Sequence, residues 1–130
     1  MNTLSKYEDI NLYITPGKYR DLSKGFLGIQ TSEYVKQFTF DYCFVGTEVI
    51  TLDQGVTLID EKDAFTKRAV LKQSKCKILV ADSSKFNKQF LYKIGDVSDF
   101  DYIITDEYID DDLYKQFNQH TKLIAVYENI

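Results

Sequence analysis

Five short apolar runs, several separated by stretches of helical length, constrain what this chain can fold into more than any other feature. The runs are Ile10–Ile14, Tyr42–Val45, Lys77–Ala81, Tyr102–Ile104 and Leu123–Val126. Each is too short for a helix and apolar enough for a strand buried on both faces. Between them, Asp63 to Ser74 and Asp110 to Gln119 have helical length. Strands alternating with helices predict βαβ units and an α/β fold with a mainly parallel sheet flanked by helices. Right-handed crossovers bring the carboxyl ends of such strands to one edge, where ligands of open α/β sheets bind.

The residues that follow the runs suit that role. Thr15-Pro16-Gly17-Lys18, Gly46-Thr47-Glu48, Asp82-Ser83-Ser84-Lys85 and Thr105-Asp106-Glu107 all stand at strand ends. Asp82 to Lys85 place an acid, two hydroxyls and an amine within four residues, groups suited to a small polyhydroxylated anion. The same residues also serve as an ordinary loop cap, because Asp and Ser close turns and start helices. Asp60 reads as the N-cap of the first long helix, with Asp63 three positions on. Asp63 and Lys67 are four apart and can pair on one helix face. If that face turns to the ligand edge, Lys67 is a candidate for a phosphate or a sugar hydroxyl. Phe90 to Phe100 reads as mixed short-range structure.

Composition excludes several function classes. The 130 residues make one domain, large enough to bury a core without disulfides or metal. Cys43 and Cys76 form no C-x-x-C or Cys/His cluster and read as packed thiols. No run approaches the length of a membrane span, and the chain is expected to be soluble and cytoplasmic, with no membrane partner. The net charge of −4 argues against non-specific DNA binding. Charge is uneven, however: nine Lys or Arg and two acids lie between Lys62 and Lys93, then eight acids and no base between Ile94 and Asp112. The one histidine, His120, precedes the last strand, at the edge opposite the expected site. No nucleophile–base pair, Walker A sequence or G-x-G-x-x-G occurs. No catalytic residue, cofactor or metal is expected.

Taken in order, Phe40-Asp41-Tyr42-Cys43-Phe44-Val45-Gly46, Gln54-Gly55-Val56-Thr57, Ala64-Phe65-Thr66-Lys67-Arg68, Val80-Ala81-Asp82-Ser83-Ser84-Lys85-Phe86 and Asp101-Tyr102-Ile103-Ile104-Thr105-Asp106 resemble the C-terminal effector-sensing domain of DeoR-type transcriptional repressors. The resemblance runs from about Leu4 to Val126. It implies a ribose-5-phosphate-isomerase-like fold that binds a phosphorylated sugar through Gly17, Arg20, Gly46, Lys67, Asp82 and Lys85. Two positions depart from the family pattern. Pro16 replaces a glycine and removes a backbone donor, and Glu48 adds a negative charge near the expected anion.

The resemblance further implies that residues 1–130 are a partial sensor domain, truncated at its N-terminus. The winged helix-turn-helix and the Asp-x-Gly-Ser/Thr-Thr phosphate loop of the family are not in this sequence. DNA would be reached only through that helix-turn-helix, so this chain alone is expected not to bind operator DNA. Homo-oligomerisation is expected, because a half-sheet exposes a strand edge. Sugar-phosphate binding by the chain alone is expected to be no tighter than about millimolar, since few charge-assisted contacts remain. A phosphosugar isomerase or deaminase on the same fold, and a ligand-free oligomerisation fragment, are the alternatives.

Overall fold

The computed structural model describes residues 9–13, 18–20, 25–27, 29–86 and 90–127, with the backbone alone at 18–20 and 25–27. Its centre is a four-stranded sheet of β3 (Phe40–Gly46), β6 (Ser74–Val80), β8 (Tyr102–Asp106) and β9 (Lys122–Val126). These strands lie side by side in that order and all run parallel. The α/β class and four of the five expected strands are therefore present. The fifth is not: residues 10–13 form no strand. Ile10, Leu12 and Tyr13 are exposed, and Tyr13 instead leans on the Phe38 ring, 6.5 Å between centroids. An apolar run without a neighbouring ladder has nothing to hold it extended.

Helix α2 (Glu61–Lys72) connects β3 to β6 through an antiparallel insertion. Its start follows the sequence reading, since the Asp60 carboxylate accepts from the Asp63 N–H at 2.9 Å. Glu61 and Asp63 lie in the first turn and Lys72 in the last, matching the helix dipole. At the far end, the Gln73 amide donates to the Lys36 and Phe38 carbonyls at 3.1 and 2.8 Å. That tie joins the end of α2 to the segment between α1 (Ile29–Val35) and β3. Helix α3 (Asp111–Phe117), capped by Asp110, links β8 to β9. Asn118 then accepts from the Leu123 N–H at 3.0 Å and aligns β9.

A second sheet was not legible in the sequence. Strands β4 (Val49–Thr51), β5 (Gly55–Leu58) and β7 (Tyr92–Gly95) form an antiparallel trio in the order β4-β5-β7. The third of them lies in the stretch read as mixed structure. Gly55 carries φ of 74°, the left-handed conformation that closes the β4–β5 turn. A short antiparallel pair, β1 (Lys18–Arg20) and β2 (Gly25–Leu27), precedes α1.

The core lies on one face of the parallel sheet. Cys43, Val45, Leu79, Ile103 and Leu123 pack with Ala64 and Leu71 of α2, Phe117 of α3, and Ile50, Val56 and Leu58 of the second sheet. Phe86 meets Phe117 edge-on at 5.0 Å. The strand order explains this one-sidedness. When successive strands add in one direction, right-handed crossovers all fall on the same face.

Candidate functional site at the carboxyl edge of the parallel sheet

Parallel register decides which strand ends meet. Gly46 pairs with Val80, Val80 with Ile104, and Asp106 with Val126. The residues after each strand therefore gather at one edge, where a shallow concavity of about 400 Å³ is lined by Val80, Ala81, Asp82, Ile104, Thr105, Asp106, Val126 and Tyr127. Its floor is apolar, and the carboxylates of Asp82 and Asp106 are its charged groups.

Asp82 starts the 3-10 turn Ser83–Lys85 and accepts from both the backbone N–H and the hydroxyl of Ser84. The cap reading of Asp82-Ser83-Ser84-Lys85 is thus realised in its geometry. Asp106, from the neighbouring strand, accepts from the Ser83 N–H and the Tyr108 N–H, each at 2.9 Å. Two turns from different strands are joined through one carboxylate. The hydroxyl of Ser84 holds the Asp82 carboxyl below the usual range, with its backbone N–H and the Lys85 charge adding to the effect. The Ser83 N–H does the same for Asp106, helped by the Tyr108 N–H. Both groups are ionised at neutral pH and retain lone pairs for a donor.

Lys67 reaches the same edge from α2. Its ammonium donates to the Gly46 carbonyl at 2.8 Å and lies 3.4 Å from Asp63 Oδ2. Asp63 is buried, so the pair is a structural tie and not a solvated surface pair. Lys67 keeps one of its three N–H donors beyond these two contacts. Gly46 faces open space, since a side chain added there would meet nothing within 4 Å.

The structure thus joins Gly46, the last residue of β3, to Lys67, and holds Asp82 and Lys85 in one turn just after the adjacent β6. The concavity itself includes Asp82 and none of Gly46, Lys67 or Lys85. Arg20 ends β1, and its side chain, like all of Gly17, lies outside the described residues. Asp106 was not singled out as a site residue from the sequence. Its signal was the same as for Asp82, an acid directly following a buried run. His120 lies in the turn before β9, at the opposite edge, as expected. Among the described residues no group of three or more His, Cys, Asp or Glu could hold a metal ion, and no helix is long and apolar enough to cross a membrane.

Comparison with known proteins agrees with the sequence resemblance. A family model described as the DeoR C terminal sensor domain matches residues 1–107. The chain is 37% identical over 106 residues to a protein of Escherichia coli O157:H7 whose name assigns it to transcriptional repression of the aga operon, covering 82% of this chain and 39% of that protein. It is 31% identical over 105 residues to the glycerol-3-phosphate regulon repressor of Escherichia coli strain K12, covering 81% and 42%. With the lactose phosphotransferase system repressor of Lactococcus lactis subsp. lactis it shares 28% over 121 residues, covering 93% and 47%. The chain spans less than half the length of these relatives, all of them named as repressors and none as an enzyme. A family match over residues 1–107 of the 130 makes this chain a member of the DeoR C-terminal sensor domain family.

Proposed function

We propose that residues 1–130 are the effector-sensing and oligomerisation part of a DeoR-type repressor of sugar metabolism, and that the effector is a phosphorylated sugar bound at the carboxyl edge of the parallel sheet. The observation that carries this reading is that Lys67 bonded to Gly46 at the end of β3, and Asp82 with Lys85 just after β6, stand at the carboxyl ends of adjacent parallel strands. Lys85 and the remaining donor of Lys67 supply charge to the phosphate. Asp82 and Asp106 accept from sugar hydroxyls, and the apolar floor of Val80, Ile104 and Val126 takes the less polar face of the ring. Gly17 and Arg20 belong to the same set by family resemblance. DNA is contacted through a helix-turn-helix of a longer protein, and not by this acidic chain.

Thermal shift and calorimetry with a panel of phosphosugars, the matching free sugars and inorganic phosphate test the proposal. At a dissociation constant of about 1 mM, a tenfold excess of phosphosugar stabilises by about 1.4 kcal/mol, a rise in Tm of about 5 °C. Lys85→Ala and Asp82→Ala each remove most of that shift, and the free sugar produces little of it. A phosphosugar shift left unchanged by both variants rejects the site. Turnover of the phosphosugar replaces the sensor reading with an isomerase-like one.

A further inference from the structure

Tyr127, which follows β9, is the one aromatic side chain among the described residues that line the concavity at the carboxyl edge. It lies beyond residues 1–107, over which the family model matches. Register fixes its surroundings. Asp106 pairs with Val126, so Tyr127 follows the residue opposite that carboxylate, and Asp82 comes just after β6, the next strand over. Strand alternation puts Val80, Ile104 and Val126 on one face of the sheet, where they make the floor. Val80 and Val126 are 44% and 54% exposed, and Tyr127 is 66% exposed. Two ionised carboxylates therefore border an open apolar floor that ends in an aromatic ring.

We propose that Tyr127 is a specificity-determining residue of this site, a stacking surface that selects a cyclic phosphosugar over an open-chain phosphorylated polyol. The inference rests on the sensor reading and deepens it by naming the form of the ligand. A closed sugar ring gathers its C–H bonds into patches and carries its hydroxyls around its perimeter. Those C–H bonds, slightly positive, suit the negative face of an aromatic ring. A sugar ring set against Tyr127 and the floor turns perimeter hydroxyls toward Asp82 and Asp106, which accept them. An open-chain polyol carries a hydroxyl on nearly every carbon and has no apolar patch of that size. Laid on the same floor, it desolvates hydroxyls against Val80, Ile104 and Val126 without giving them partners, which costs free energy. It also freezes more rotatable bonds on binding. The shape of the site and the chemistry of its walls thus favour the ring.

Matched ligand pairs test it on the full chain: the phosphates of glucose, galactose and ribose, which close into rings, and the open-chain alditol phosphates made from each by borohydride reduction. Titration followed by amide NMR spectra reads affinities near and weaker than about millimolar. The expected result is that at least one ring binds about tenfold more tightly than its own alditol. Tyr127→Ala brings that ratio to about one, whereas Tyr127→Phe, which keeps the ring, preserves it. Inorganic phosphate shifts the parent and both variants alike, and circular dichroism is unchanged, since Tyr127 is exposed. Equal binding of ring and alditol by the parent overturns the proposal, as does a preference that survives in Tyr127→Ala. A ratio lost equally in Tyr127→Phe also overturns it, because the hydroxyl and not the ring is then responsible. In each of these cases phosphosugar binding persists and the sensor reading stands. A parent chain that binds no phosphorylated ligand rejects the sensor reading and this inference with it.

Discussion

Thr105 carries the only buried side-chain oxygen without a hydrogen-bond partner among the described residues. Strand alternation turns its side chain to the core face with Ile103, where Oγ1 is buried. An unsatisfied buried hydroxyl costs about 1–3 kcal/mol, and an apolar replacement of the same shape avoids that cost. Thr105→Val is therefore expected to stabilise the chain by about 1 kcal/mol in urea unfolding and to leave effector binding unchanged; a loss of stability would mean that Oγ1 has a partner. Lys67 shows the limit of reading single residues. Its pairing with Asp63 followed from their spacing, but its bond to the Gly46 carbonyl joins residues 21 apart in sequence, and only the packing of α2 against β3 creates it.

At the scale of elements, legibility followed length and periodicity. The parallel strands and α2 were readable because their apolar runs and the Asp60 cap are local signals. The antiparallel trio was not, because its strands have three or four residues and, although β4 and β5 form a local hairpin, β7 joins β5 only across α2 and β6. Residues 10–13 erred the other way, with strand composition but no ladder. The effector edge was half legible. Asp82 stood out, but its association with Asp106 depends on the β6–β8 register, which no local pattern encodes. Gly55 holds the trio together. A side chain there would sit 2.2 Å from the Gly95 carbonyl oxygen, and the backbone is already left-handed. Gly55→Ala is expected to destabilise by at least about 2 kcal/mol, whereas Gly46→Ala, with open space around it, changes stability little. Paired urea titrations check the contrast, and equal effects would refute it.

For the whole molecule, the carboxylates that join its turns set its response to acid. Asp82 and Asp106 have folded pKa values depressed below the ordinary 3.8, through the Ser84 hydroxyl and the Ser83 N–H respectively. A depressed carboxyl pKa contributes stability that is present above the unfolded value and lost as pH falls through the folded one. Stability is therefore expected to be level from about pH 7 to pH 5 and to decline below about pH 4. Because Asp82 is exposed and Asp106 only half-buried, each contributes modestly. Thermal melts across that range should show a shallower acid decline for Asp106→Asn than for the parent chain; parallel declines would count against the assignment.

The ascending order β3, β6, β8, β9 has a consequence for how the molecule is made. Each strand that leaves the ribosome finds its neighbour already synthesised, so the sheet lengthens by addition at one border and no strand has to be threaded between two others. Synthesis runs from the N-terminal side, so the order in which the described parallel strands are made and their order in the sheet coincide. A chain that ends after β6 or β8 therefore already contains only strands that are neighbours in the finished parallel sheet.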